Sequence, residues 1–257
     1  MRIKQVIRKL VLGARASSPA YISYLRSLGM QIGDNTVIYA PNNCVIDQTR
    51  PWMVEIGRNV SITQGVTILT HGYDWSVFKG MYGDVLGSAG HVKIGDNVFI
   101  GMNATILKGV TIGNNVVIGA NSLINKNVPD NCVVVGNPQR VVCGIDEYLE
   151  KRRTAQVDEA VDLYRCWRRN SPEGKRGGVP PKNIFSEFFW LFEPRGVTQF
   201  SDQSFDCTQR LRGTYSLSMK RFGETKPAFK SYEEFLAALE AKVALGKESN
   251  EIKSKRS

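Results

Sequence analysis

The chain has 257 residues, 42% of them hydrophobic and 23% charged, with a formal net charge of +10. That composition excludes a wholly disordered or collagen-like chain, and no run of about 18 apolar residues is available to span a bilayer as a helix. Residues 1–145 carry 13 Lys+Arg against 7 Asp+Glu and residues 146–257 carry 21 against 17, so the positive excess forms no dense block and nucleic acid is not expected as a partner.

At the N-terminus, MRIKQVIRKLVLGARASSPA is basic but lacks the unbroken apolar core of a secretion signal. A cytoplasmic location is expected. Ile3, Val6, Ile7, Leu10 and Val11 fall on one helical stripe, with Arg2, Lys4, Arg8 and Lys9 largely elsewhere. Such a helix suits capping of whatever follows, or peripheral contact with an anionic membrane. Residues 1–29 are accordingly read as an N-terminal helical cap.

A six-residue repeat then takes over. From position 94 the chain reads IGDNVF, IGMNAT, ILKGVT, IGNNVV, IGANSL, INKNVP. Isoleucine recurs at 94, 100, 106, 112, 118 and 124, and the fifth place of each unit is Val98, Ala104, Val110, Val116, Ser122 or Val128. The same phase runs through Ile32, Ile38, Ile56, Ile62 and Ile68. A period of six fits no helical face. It fits a short extended piece followed by a turn, in which places one and five both point inward. Gly, Asn and Asp at the other places suit tight turns and positive φ. Stacked turns of this kind bury their isoleucines in ladders. The step from Ile68 to Ile94 is not a multiple of six, so an irregular loop interrupts the repeat over residues 71–91.

This stretch resembles the hexapeptide-repeat acyltransferases, in particular the galactoside, maltose and xenobiotic acetyltransferases and the capsular polysaccharide O-acetyltransferases. The resemblance covers roughly residues 30–142 and ends in NVPDNCVVVGNPQRVV, similar to the closing coil of that family. It implies a mainly β fold, a left-handed parallel β-helix at 30–143 with three hexads per coil. It also implies acetyl-CoA as co-substrate, no metal, a sugar or glycan acceptor, and a homotrimer with active sites between subunits. Zinc carbonic anhydrases share the shape but use three histidines, and this chain has two, His71 and His91. The five cysteines, at 44, 132, 143, 166 and 207, include no CxxC pair and argue against a disulfide framework or a structural zinc site.

Acetyl transfer needs a base for the acceptor proton, and histidine is suited to that task near neutral pH. His71 closes the run VSITQGVTILT and opens the loop, the place where the resembling enzymes carry their catalytic histidine. The resemblance therefore assigns His71 as general base. A backbone carbonyl, Asp47 or Asp74 could orient it. Asn43, in YAPNNCVID, matches a family stretch with a site asparagine. Tyr73, Trp75 and Tyr82 give the loop an aromatic character that suits either a sugar ring or a small loop core. By position in the later coils, Met102 and Ala120 match residues along the pantetheine arm. Asn125 and Lys126 match residues nearer the phosphates, and Pro138 and Arg140 match the place of the adenine and its phosphates. His91 is read as a surface or structural residue.

Beyond 143 the hexads stop. IDEYLEKRRTAQVDEAVDLYRCWRRN (145–170) reads as a helix, FSEFFWLFEP (185–194) as an aromatic run, and SYEEFLAALEAKVAL (231–245) as a helix with Ser231 and Glu234 placed for a capping box. Residues 144–245 are read as a mostly helical, aromatic-rich extension, and 246–257 as a disordered tail. The expected activity is O-acetylation of a sugar hydroxyl in capsule or O-antigen synthesis. The alternatives are N-acetylation of a nucleotide-linked amino sugar or an antibiotic, or a non-catalytic trimeric scaffold for anionic polymer or membrane.

Overall fold

In the computed structural model, residues 10–200 and 202–254 are described. The chain divides into two compact units, Met1–Leu149 and Glu150–Ser257.

The first unit is a stack of coils with three strands each. One side carries strands Gln31–Ile32, Val54–Ile56, Val92–Ile94 and Thr111–Ile112, all parallel. A second side carries Val37–Ile38, Ser61–Ile62, Phe99–Ile100, Val117–Ile118 and Cys132–Val135, closed by the antiparallel strand Arg140–Gly144. The third carries Val45–Ile46, Thr67–Ile68, Thr105–Ile106 and Leu123–Ile124. Each isoleucine lies over another of the coil below, as in the Ile46, Ile68, Ile106, Ile124 ladder, and all four are at most 2% exposed. The expected fifth-place residues Val98, Ala104, Val110, Val116, Ser122 and Val128 are buried as well. Ser122 is tolerated because its hydroxyl donates to Gly119 O and accepts from Gly136 N.

Among the described residues seven asparagines, Asn97, Asn115 and Asn131 included, hold the corners at φ near +57°. Their amides stack, Asn97 Nδ2 donating to Asn115 Oδ1 and Asn115 Nδ2 to Asn131 Oδ1. Asparagine tolerates the left-handed region better than most side-chain-bearing residues.

The phase that survives from Ile32 to Ile56 hides two irregularities. Ile38 and Ile46 are eight residues apart and Ile46 and Ile56 ten, yet both pairs are consecutive corners of one coil. A helical turn at Pro41–Asn43 and another at Pro51–Met53 take up the extra residues.

The predicted helix over residues 3–11 lies almost wholly outside the described residues. The helix that covers the first coil is Ser18–Ser27, with Ser17 at its N-cap and a proline in its first turn. It buries Tyr21, Ile22 and Leu25 in the same cluster as Ile32, Ile38 and Ile46. Polar groups of this end satisfy the first coil's unpaired edge. Ile38 N donates to Ser18 Oγ, Arg26 donates to Ile32 O, and Arg15 donates to Pro41 O and Cys44 O.

The second unit is helical. Its aromatic run supplies Phe185, Phe189 and Phe192, which pack with Phe205, Phe222, Tyr232 and Phe235 into a core of their own. Phe189 stacks on Phe205 and Phe192 on Phe235, each at 4.7 Å between ring centroids. The helix Ile145–Asn170 matches the sequence reading at both ends. Helix Tyr232–Ser254 starts at Ser231, whose hydroxyl accepts from Glu234 N, while Glu234 accepts from Lys230 N instead of the cap residue. Helix Tyr232–Ser254 extends into the segment read as a tail from 246. One expectation is corrected. The label "mainly β" holds for the coil stack alone: its strands are mostly two residues long, and helical residues outnumber strand residues among the described residues.

Close stacking leaves no room beside certain glycines. A Cβ at Gly95 would lie 2.7 Å from Gly113 O and 2.8 Å from Gly113 C. At Gly80, in the exposed helix Trp75–Tyr82, nothing lies within 4 Å. Gly95→Ala is therefore expected to cost about 1–3 kcal/mol and lower the melting temperature. Gly80→Ala should leave it unchanged or raise it, since alanine is favoured in a helix by about 1 kcal/mol. Circular dichroism melts of the two variants check both.

Candidate active site

The interrupting segment leaves the stack after Thr67–Ile68 and returns at Val92–Ile94. Its neck is zipped. His71 and Ala89 form an antiparallel bridge, Gly72 N donates to Ser88 O at 3.2 Å, and Gly90 N donates to Thr70 O at 2.9 Å. His71 is thereby anchored at the base of the excursion, and its side chain is only 11% exposed.

Facing it is Asp47, one residue past strand Val45–Ile46 on the neighbouring coil. Asp47 N donates to Ile68 O at 3.0 Å, which sets the register. Asp47 is 6% exposed. Thr49 donates to Oδ1 from both its backbone N (2.9 Å) and its hydroxyl (2.7 Å). Thr70, fully buried, donates to Oδ2 from its backbone N at 3.1 Å and from its hydroxyl. Burial alone would raise the Asp47 pKa. The hydrogen bonds from Thr70 and Thr49 outweigh it and hold the carboxyl well below its ordinary range. Asp47 is thus ionised at neutral pH.

Asp47 Oδ2 lies 2.6 Å from His71 Nδ1. Two acceptors cannot face each other at that distance, so Nδ1 carries the proton and Nε2 of the neutral ring is left with its lone pair. Of the three orienting groups open to the sequence, the structure places Asp47 on the ring. The signal was present in D-Q-T at 47–49, an aspartate with a threonine two residues on. Thr70 gave no such signal, because its role depends on the coil register.

The Tyr73 ring meets His71 edge-on at 4.7 Å between centroids, and Trp75 follows Tyr73 at 6.3 Å. Tyr73 and Tyr82 are 64% and 69% exposed, and helix Trp75–Tyr82 buries none of its residues, so the excursion has no core of its own within one chain. Tyr82 sits at the far end of that helix and makes no ring contact with the Tyr73–Trp75 pair among the described residues. Asn43 is exposed in the turn before Val45–Ile46, at the opposite end of that strand from Asp47, and accepts from Asn42 Nδ2.

Met102 and Ala120 occupy the same corner of successive coils, after Ile100 and Ile118, and Asn121 N donates to Met102 O. Both are exposed. Gln139, which sequence reasoning passed over, ties the last group together. Its Oε1 accepts from Asn125 N and Lys126 N, and its Nε2 donates to Lys126 O. This clamp draws Asn125 and Lys126 to the segment that carries Pro138 and Arg140, all four of them exposed. His91 lies elsewhere, near Glu55, which Lys93 also contacts at 3.0 Å. Among the described residues no group of three or more His, Cys, Asp or Glu is placed to hold a metal ion.

Residues 91–126 match the family described as "Bacterial transferase hexapeptide (six repeats)". The chain is 42% identical over 127 residues to "Protein CapG" of Staphylococcus aureus, a match spanning 49% of this chain and 73% of that one. It is 35% identical over 145 residues to the galactoside O-acetyltransferase of Escherichia coli K12, spanning 56% and 68%. Among solved structures, a maltose O-acetyltransferase from Clostridium difficile 630 matches with 34% identity and a TM-score of 0.36, over 49% of this chain and 75% of that one.

The lowered Asp47 pKa links stability to pH. An ionised native Asp47 contributes stability that is present above the unfolded-state value of about 3.9 and is lost as pH falls below it toward the native pKa. Asp47→Asn should flatten this acid limb. At pH 7 it should cost about 1–3 kcal/mol, because an amide NH2 cannot accept from Thr49 or Thr70. Urea titrations of both proteins between pH 3 and 7 check the sign and the size.

Proposed function

This chain belongs to the hexapeptide-repeat transferases and is an acyltransferase, and on that premise we propose that it moves the acetyl group of acetyl-CoA to a sugar hydroxyl in surface polysaccharide synthesis. The observation that carries the reading is the buried Asp47 carboxylate holding His71 through Nδ1, which leaves Nε2 as a proton acceptor. In the proposed reaction Nε2 takes the acceptor's hydroxyl proton as the hydroxyl oxygen attacks the thioester carbonyl. A C–O bond forms, the C–S bond breaks, and the proton passes from His71 to the departing thiolate. The Asp47 carboxylate faces the positive charge that the ring carries between those two steps. The path needs no acyl-enzyme. The buried thiols of Cys44 and Cys132 are pushed up by burial, away from the thiolate form a nucleophile needs.

A sugar acceptor is supported by Tyr73 and Trp75 beside His71 and by the name of the E. coli relative. Coenzyme A is supported by the residues present. Met102 and Ala120 offer an exposed corner along successive coils, and Lys126 and Arg140 offer two exposed cations near its end for phosphates. We read the coil as left-handed and the protein as a trimer whose copies share each site. That assembly is supported by the exposed apolar side chains Val45, Phe99 and Met102 on the stack and Val77 and Met81 on the excursion.

Three measurements test the reading. His71→Ala should lower kcat by about 10²–10⁴-fold in an assay of thiol release, with CoA affinity kept; near-normal turnover would remove His71 as the base. Millimolar CoA should raise the melting temperature of the wild type, by about 2.7 kcal/mol of added stability at 100 times Kd, and raise it less in Arg140→Ala. Sedimentation at micromolar concentration should give a trimer, and a monomer would contradict the shared site.

A further inference from the structure

We infer that the C-terminal unit contains a second binding site, a cleft for an anionic saccharide bearing a carboxylate or a phosphate. The inference goes beyond the transfer reaction. The cleft is lined entirely by residues of the second unit, and its chemistry does not depend on what His71 does.

The cleft has a volume of about 440 Å³, the size of a small-ligand site. Three cations line it, Arg153, Arg195 and Lys226, against one carboxylate, Glu187. Arg153 is partly offset by an ion pair with Glu150. Arg195 and Lys226 make no ion pair among the described residues.

Arg195 is the least expected of these. It is half-buried, and its Cζ lies 4.0 Å from the centre of the Phe222 ring. Among the described residues its guanidinium donates to neutral oxygens alone: Nη1 to Glu193 O at 2.5 Å, Nη2 to Trp190 O at 2.7 Å, and Nε to Thr225 O and Oγ1. Burial pulls its pKa down, and the charge of nearby Glu193 offsets only part of that. A partly desolvated cation is costly unless paired. Of its five N–H groups, these bonds occupy three. The other two are free, among the described residues, for an oxyanion.

The remaining lining narrows the ligand. Trp190, with its Nε1–H already given to Gln209, contributes an aromatic surface, and Gln156 contributes an amide. An aromatic surface with hydrogen-bonding groups beside it suits a sugar ring and its hydroxyls. The cations add the requirement for negative charge.

Isothermal titration of the full-length protein tests this with four probes: tetragalacturonate, glucose 1-phosphate, maltotetraose and inorganic phosphate. The expected result is binding of one or both anionic sugars, at least about tenfold tighter than maltotetraose, and weakened as salt rises from about 0.05 to 0.5 M. Binding of tetragalacturonate alone assigns a sugar carboxylate, and binding of glucose 1-phosphate alone assigns a sugar phosphate. Lys226→Glu combined with Arg153→Glu should lower that affinity at least about tenfold and leave the CoA-induced rise in melting temperature intact. Both residues are exposed; if the pair unfolds, Lys226→Gln alone should weaken binding in the same direction. Maltotetraose binding as tightly as the acidic sugars would overturn the anionic requirement. Inorganic phosphate binding as tightly as glucose 1-phosphate would overturn the saccharide. No heat from any probe at about 10 mM, or affinity unchanged in the variants, would overturn the site.

Discussion

A coil built from two-residue strands has almost no stability of its own. It holds together only when every strand lies in register on the coil above and below, because there the backbone bonds are completed and the isoleucines are buried. Ile32 on Ile56, Ile38 on Ile62 and Ile46 on Ile68 are consequences of that one constraint. A slip by one residue would turn each isoleucine to solvent. The stack therefore behaves as a ruler. Positions far apart in sequence are set opposite each other with little freedom.

The Asp47–His71 pair depends on this ruler. Its members are separated by 24 residues and lie on different coils. What brings them together is the ladder bond from Asp47 N to Ile68 O, one residue beyond the last paired isoleucines. The two threonines then settle the charge. A carboxylate that is 6% exposed would ordinarily resist ionisation, and four donors from Thr49 and Thr70 reverse that preference. The neck closed by Gly72–Ser88 and Gly90–Thr70 keeps the histidine from following the excursion outward.

Much of this was legible in the residue order. The isoleucine ladders, the small fifth-place residues and the corner asparagines could be read because they obey a strict period, and each period-six position answers to one inward direction. The place of His71 at the start of the interruption was legible in the same way, while its role as base was implied by the resemblance alone. Asp47 was one of three candidates, and separating them required the register of a coil whose hexads are broken by the turns at 41–43 and 51–53. Thr70 and Gln139 were invisible for a related reason: each acts through a single cross-coil bond with no periodic trace. The C-terminal aromatics announced a core, but an aperiodic set of rings does not say which pairs stack. The cleft beside Trp190 and Arg195 had no counterpart in the sequence at all, since its cations come from three separate segments.

The polar groups at the N-terminal end of the stack have a consequence for the protein's behaviour in crowded solution. A parallel stack exposes a strand edge at its end, and such an edge can accept the matching edge of another molecule and so propagate a filament. Ser18, Arg15 and Arg26 bond Ile38 N, Ile32 O, Pro41 O and Cys44 O on that edge, and helix Ser18–Ser27 lies over the apolar interior beneath them. An edge occupied in this way offers fewer free groups to the strand of another molecule.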